Sequence, residues 1–378
     1  MKKLISIALC AVMLLGVFCA MASCSKESYE IAVVTDVGQI NDKGFNQGTW
    51  EGAEAYAKKN NISVKYYQPA NGSDANDNDR IAAMRQAINN GAKVIVTPGY
   101  LQATALRTVA AEHPEVKFVF VDGWTITDKV DETGKEVGTP FANITAIVYK
   151  EQESGYLAGY AVVKEGYEKL GFTAGGGGTN PACNRFGYGF VQGANAAAAE
   201  LGKTVTIKYS YKFGDNFSAS SELQAQIASW YAAGTEVVFA CGGSMFDSVK
   251  SAAAEYKDRN VKIVGVDTDQ SGESEQVITS AVKELANSVD IVLTQFYGGE
   301  WDSKLAGKTQ NLGAAENATG LPTATWRLTN FTVEQYKEVF EKIKNGTIVP
   351  DANTPGNANE NGDWLKANLN NVVIDFEK

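Results

Sequence analysis

Histidine is nearly missing from this chain. His113, in "AEHPE", is the sole one among 378 residues. Ser-His-Asp triads and histidine-based metal sites therefore have almost no material to work with. Cysteine is scarce in the same sense. Cys10, Cys19 and Cys24 belong to the first 24 residues, which leaves Cys183 and Cys241 in the body of the chain. Two cysteines make neither a disulfide framework nor a zinc set. Basic residues are outnumbered, 34 Lys and Arg against 44 Asp and Glu, for a net charge of −10. Taking away Lys2 and Lys3 leaves 32 basic residues against 44 acidic, a net charge near −12. Such a surface repels phosphate backbones and argues against a nucleic-acid partner.

The one long apolar run stands at the N-terminus. "MKK" is followed by "LISIALCAVMLLGVFCA" and then by "MASC". A short basic start, an apolar centre and small residues read as a secretory signal peptide over 1–23. The run is short for a transmembrane span. A cysteine directly after small residues also reads as a bacterial lipobox, with Cys24 diacylated and 24–29 as the tether. Met21 stands where that pattern usually has Leu, so plain cleavage stays open. The expected location is the outer face of a bacterial cell membrane, anchored at Cys24.

About 354 residues remain, more than one hydrophobic core comfortably organises. Their sequence is duplicated. "AINNGAKVIVTPGYLQATALRTVAAEHPEVKFVFVDG" (87–123) aligns with "YAAGTEVVFACGGSMFDSVKSAAAEYKDRNVKIVGVDTD" (231–269). Upstream, 50–70 matches 191–211. Gly52 to Gly91 spans 39 residues and Gly193 to Gly234 spans 41; Gly91 to Asp122 spans 31 and Gly234 to Asp267 spans 33. Anchors that keep their spacing this closely indicate two similar α/β lobes. "IAVVT", "VIVTP", "FVFVD", "VVFAC" and "IVGVD" are short, β-branched and apolar throughout, the pattern of parallel strands covered by helices on both faces.

Right-handed crossovers put all strand carboxyl ends on one edge of each sheet, and ligands of open α/β sheets bind at that edge. The residues just past the strands are Asp36, Gln68, Gly99 and Asp122 in the first lobe. In the second they are Gly175, Phe213, Gly242 and Asp267. Two lobes facing each other make a cleft lined by Asp36, Asp122 and Asp267. Each aspartate alone is equally an ordinary helix cap; three at equivalent strand ends point to a ligand's hydroxyl or N–H donors. Phe45, in "NDKGFNQGTWEGA", is either the top of a buried stripe or a ring offered to a ligand, and Phe213 in "SYKFGDNFSA" has the same character. A flat ligand between two such rings gains about 1–3 kcal/mol per stacking contact. Lys283, in "VITSAVKELANSVDIVLTQF", is read at the start of a helix. The dipole disfavours a lysine there, so it points either at a cleft acceptor or into solvent. "TAGGGGTNPACNRFGYG" lacks the Lys-Ser/Thr ending of a phosphate loop and the order of a dinucleotide fingerprint, and reads as a flexible turn. Residues 126–138 and 354–363 read as polar surface excursions.

Taken in order, "TDVGQINDKGFNQGTWEGA", "VDG", "ESGYLAGYAV", "LGFTAGG…RFGYGFVQGA", "FGD", "GVDTDQ" and "TSAVK" resemble the basic membrane protein (Bmp) family of ABC-transporter substrate-binding lipoproteins. The likeness covers roughly 29–300. It implies a periplasmic-binding-protein type I fold: two doubly wound parallel-sheet lobes joined by a three-crossing hinge, with a purine nucleoside closed between them. The lobes are expected at 30–147 plus 272–320 and at 148–271 plus 321–378. The resemblance further implies that Phe45 and Phe213 sandwich the base. Asn46, Asp36 and Asp122 would bond its edge. Asp267, Lys283 and the backbone of Gly242 or Gly243 would hold the ribose. "CGGSM" stands where the family often has "AGGTG", so Met245 and Phe246 enlarge that corner, and Phe217 competes with Phe213 as the stacking ring.

The expected function is capture of a purine nucleoside and its delivery to a membrane ABC permease, by a monomer without catalysis, metal or cofactor. Three rivals remain at this level, one of them a sensor that presents its ligand-bound form to a membrane kinase or a neighbouring receptor. A riboflavin receptor has the same fold and would also use two rings. A nucleoside-cleaving enzyme would use clustered carboxylates on Ca²⁺, but Asp36 and Asp122 lie in one lobe and Asp267 in the other, which suits gripping better than metal chemistry.

Overall fold

A computed structural model gives the architecture and describes residues 28–36, 39–42, 44–366 and 369–378. The expected signal peptide, Cys24 and most of the tether lie outside the described residues. The chain lays down β1 (Ile31–Val34), α1 (Phe45–Asn60), β2 (Val64–Tyr67), α2 (Asp77–Asn89), β3 (Val94–Pro98), α3 (Ala103–Glu112), β4 (Lys117–Val121) and β5 (Ile144–Tyr149). It then crosses to a second unit: α4 (Glu151–Glu165), β6 (Lys169–Ala174), α5 (Pro181–Glu200), β7 (Val205–Ser210), α6 (Ser221–Ala232), β8 (Val237–Cys241), α7 (Met245–Glu255), β9 (Lys262–Asp267) and β10 (Val277–Lys283). A return to the first unit supplies α8 (Leu285–Tyr297) and β11 (Thr309–Leu312). The chain finishes in the second with β12 (Thr319–Gly320), α9 (Val333–Lys344) and β13 (Val372–Glu377).

One sheet has the order β11-β5-β4-β3-β1-β2 and the other β12-β10-β9-β8-β6-β7-β13. Pairing is parallel except for the short β12 on β10. The unbroken apolar strands follow from burial on both faces. Along β1, Ile31 and Val33 enter the core shared with α1 and α8, while Ala32 and Val34 enter the core under α2 and α3. In β8, Val237 and Phe239 face one core and Val238 and Ala240 the other. The period of two along each strand divides its residues between the two layers.

The lobe limits expected at 272 and 320 shift. Val277–Lys283 pairs with β9, so it belongs to the second sheet, and the chain leaves that lobe after Lys283 rather than after residue 271. It crosses back after Leu312, because Thr309–Leu312 pairs with β5 while Thr319–Gly320 pairs with β10. The three crossings therefore fall at Tyr149–Glu151, Lys283–Leu285 and Leu312–Ala314, side by side at the ends of β5, β10 and β11. "VITSAVK" is a strand, and Lys283 is its last residue rather than the first of a helix.

Helices α4 and α5 touch backbone to backbone along their length. A Cβ on Gly155 would lie 2.2 Å from Phe186 O, and one on Gly159 2.0 Å from Phe190 O. This close crossing sets Glu151, at the first hinge crossing, beside Arg185.

Candidate functional site

The carboxyl ends of both sheets face a cavity of about 450 Å³, within the size range of small-molecule sites. Asp36, Phe45, Asn46 and Asp122 line it from the first lobe, and Gly242, Gly243, Asp267 and Lys283 from the second. Phe213 is not among the lining residues. It sits 44% exposed at φ +59°, its ring turned to solvent; four residues on, Phe217 is the ring that enters the cavity.

Phe217 explains glycines on both sides of it in the chain. A Cβ on Gly175 would lie 2.2 Å from its ring, one on Gly242 3.1 Å and one on Gly176 3.2 Å. The "GGGG" turn is the seat of an aromatic ring. Across the cavity Tyr100 faces that ring with centroids 6.5 Å apart, a contact between lobes.

At the first-lobe end, Asp42 accepts from the backbone N–H groups of Gly44, Asn46 and Gln47 at 2.9–3.1 Å and so fastens the start of α1. Burial pushes its carboxyl above the usual range, against those bonds. The Asn46 amide donates to Asp42 Oδ2 at 3.0 Å and to Asp36 Oδ1 at 3.3 Å. Gly99, at φ +98°, is required beside Asp36: a Cβ there would lie 2.1 Å from Asp36 Oδ2. The ten-residue turn after β1 thus exists to bring Asp36, Asp42, Phe45 and Asn46 to one wall.

At the centre stands Lys283, buried at the end of β10. It donates to Asp122 Oδ2 at 2.5 Å and lies 3.3 Å from Glu151 Oε1 and 3.8 Å from Asp267 Oδ1. Rings of Phe45, Tyr149 and Phe186 stand 5.3–5.5 Å from its ammonium. Burial alone would strip its proton, but Asp122, Glu151 and Asp267 together hold it above its ordinary value. Burial likewise opposes charge on Glu151, and Lys283 with Arg185, whose Nε is 2.5 Å from Glu151 Oε2, holds that carboxyl low. Asp122 is raised by burial despite Lys283. Asp267 is pushed up to about 7, by burial and then by Asp122, Asp42 and Glu151, against the pull of Lys283. Two cations thus face three carboxylates, and burial raises both Asp122 and Asp267.

Asp122 and Asp267 end the duplicated strands β4 and β9, and both adopt left-handed backbone, at φ +57° and +63°. Non-glycine residues in that region concentrate at functional sites. Asp122 Oδ1 and Asp267 Oδ1 are buried without a hydrogen-bond partner, as is Asn46 Oδ1. Unpaired buried acceptors are costly and rare, and they read as places for a ligand's donors. Cys183 and Cys241 also line the cavity as free thiols, and burial pushes the Cys241 thiol well up, so it is an inert wall rather than a nucleophile.

Sequence reasoning passed over Glu151, Arg185 and Tyr149, which act through Lys283, and Tyr100. Of these, Arg185 alone stands in a stretch quoted for the family likeness, "RFGYGFVQGA", with no role assigned; Glu151 falls two residues before "ESGYLAGYAV". Among the described residues no group of three or more His, Cys, Asp or Glu could hold a metal ion. No described helix is long and apolar enough to cross a membrane.

The family described as "Bmp: ABC transporter substrate-binding protein PnrA-like" matches residues 29–354. The chain is 27% identical over 336 residues to the ABC transporter nucleoside-binding protein BmpA of Lactococcus lactis, covering 84% of this chain and 88% of that one. It is 26% identical over 339 residues to basic membrane protein B of Borreliella burgdorferi, covering 87% and 89%. An ABC transporter solute-binding protein from Aeropyrum pernix superposes with TM-score 0.70 at 21% identity, covering 90% of this chain and 98% of that one.

Proposed function

This chain belongs to the Bmp family of PnrA-like ABC transporter substrate-binding proteins, and on that footing we propose that its cleft captures a purine nucleoside and presents it to a membrane permease. Membership of a family of substrate-binding proteins places it outside the enzymes, so the nucleoside-cleaving alternative is set aside. The observation that carries the nucleoside reading is the division of the cavity wall. One aromatic from each lobe, Phe45 and Phe217, enters it. Unpaired carboxylate oxygens of Asp122 and Asp267 flank Lys283, and a separate polar corner is built on Asp36 and Asn46. A flat base suits the rings, ribose hydroxyls suit the acceptors near Lys283, and the base edge suits the corner. A relative printed as nucleoside-binding, the Lactococcus lactis protein, supports the same reading.

The mechanism is closure about the three crossings. A ligand touching both lobes makes more contacts when they are shut, and its differential affinity moves the population to that state. The permease then reads the closed pair of lobes. We place the protein as a monomer held at the outer face of the membrane through lipid on Cys24; the Pyrococcus horikoshii relative, 26% identical over 307 residues, is described as a lipoprotein.

The test is a thermal-shift panel on protein unfolded and refolded to strip bound ligand, using purine and pyrimidine nucleosides, free bases, ribose and riboflavin. A ligand at 100 times its Kd adds about 2.7 kcal/mol to the folded state. A purine nucleoside should raise the melting temperature in the wild type and not in Phe45→Ala or Phe217→Ala. A rise with riboflavin alone would keep the fold and replace the ligand.

A further inference from the structure

Among the described residues, those lining the cavity include neither Arg185 nor Glu151, yet this pair adjoins the cavity's central charge. Glu151 opens α4 with its side chain fully buried, so both of its oxygens need partners from the protein. Oε2 takes Arg185 Nε at 2.5 Å. Oε1 has no hydrogen-bond partner and faces the Lys283 ammonium at 3.3 Å. The same ammonium donates to Asp122 Oδ2 at 2.5 Å. Lys283 is therefore contested: Glu151 holds it from the second lobe and Asp122 from the first. Arg185 bears on that contest in two ways. It occupies one oxygen of Glu151, and its own charge repels Lys283 from the Glu151 side. Its place is rigid, because a Cβ on Gly189 would lie 2.2 Å from Gln152 O, which leaves the first turn of α4 no slack against α5.

We infer that Arg185 is a positioning residue that sets the strength of closure from outside the cavity, by holding Glu151 so that Lys283 is left to Asp122. The inference rests on ligand capture between the lobes as proposed above, and not on which ligand is captured. Without Arg185, both oxygens of a buried carboxylate turn to Lys283, and the ammonium is drawn away from the first lobe. Without the charge on Glu151 the opposite follows, and Asp122 holds Lys283 more firmly in the closed state. The two substitutions therefore move ligand release in opposite directions. A side chain that merely packs α5 against α4 would give a loss in both cases.

The full chain, purified in detergent and refolded free of ligand, is loaded with guanosine, or with riboflavin if no purine nucleoside shifts the wild-type melt. Release is followed by stopped-flow displacement. The choice of probe tests the nucleoside reading, and the variants compared with one probe test Arg185. Arg185→Met should release ligand about tenfold faster than the wild type, within the range that residues off the ligand impart through a contact network. Arg185→Lys keeps the charge and should recover most of that difference. Glu151→Gln should release about threefold more slowly. The double variant should release as Glu151→Gln does, because no charge is left for Arg185 to hold. Faster release in Glu151→Gln overturns the inference, and so does a double variant as fast as Arg185→Met. Wild-type release from Arg185→Met that still melts cooperatively overturns it too. Where Arg185→Met does not fold, Glu151→Gln and the double variant decide: both slower than the wild type upholds the inference, and either one faster overturns it.

Discussion

Lys283 shows how one side chain gathers a site from distant sequence. It is held by Asp122 from 161 residues upstream, by Glu151 at the first crossing and by Asp267 on the neighbouring strand. Removing a proton from Asp267 in that company is costly, and the cost appears as a pH dependence. In the unfolded chain the carboxyl titrates near 3.8, and in the folded one at about 7. Between those values the unfolded state releases the proton and the folded state keeps it. Stability contributed by this group is therefore complete below about pH 4 and is lost as pH rises to about 7. Asp267→Asn has no such loss. Relative to the wild type it should gain stability between pH 4.5 and pH 8, by on the order of 4 kcal/mol at most, while binding nucleoside more weakly. Urea midpoints of both proteins at the two pH values decide this; parallel curves would mean Asp267 is ionised throughout. Asp122 and Asp267 were legible in the sequence because duplication marks strand ends without any knowledge of packing, and Asp36 because it follows an unbroken apolar strand. Glu151 and Arg185 were not, because a carboxylate opening a helix looks like ordinary dipole compensation until the partner helix is seen against it.

At the level of elements, short irregular segments decided what could be read. The apolar strands and their place in parallel sheets followed from burial on both faces. β10 did not, because its Thr279 and Ser280 resemble a helix start. Phe213 and Phe217 share a polar, glycine-containing stretch with no periodicity, and both have positive φ, near +59°. Only the path of that turn decides which ring faces inward. The seat of Phe217 offers a direct test. Gly175 has φ −76°, open to any residue, yet its Cβ would meet the Phe217 ring at 2.2 Å. The ring is partly exposed and can swing away, so Gly175→Ala should cost about 1 kcal/mol or less of stability, the low end for overpacking. Affinity for a nucleoside should drop about tenfold or more as the stacking contact goes. A melt together with a titration separates the two; equal affinity in the variant would show that Phe217 does not stack on the ligand.

At the scale of the whole molecule, described residues join the two lobes at the crossings and across the cavity. Ser154 Oγ donates to Val282 O at 2.8 Å, and Glu153 Oε2 accepts from Ala314 N and Thr319 Oγ1 at 2.6 and 2.9 Å. Glu153 and Ser154, both at the start of α4, thereby bind the first crossing to the other two and fix the axis about which the lobes turn. Beside that axis, Asp122 of the first lobe accepts from Lys283 at the second crossing, and across the cavity Tyr100 faces Phe217. An opening rotation that draws Asp122 away from Lys283 breaks the ion pair. Asp122→Asn keeps the shape and a hydrogen-bonding oxygen but removes the charge, and Lys283 retains Glu151 and Asp267, so the fold should persist. The closed state alone loses a charge-assisted bond. Kd should therefore rise about tenfold or more, carried mainly by faster release, as for buried charge pairs at other interfaces. Stopped-flow displacement of bound nucleoside measures the release rate directly. A variant that releases ligand at the wild-type rate but captures it more slowly would place Asp122 in the first encounter with the ligand, and the latch would then have to be sought in the Tyr100–Phe217 contact.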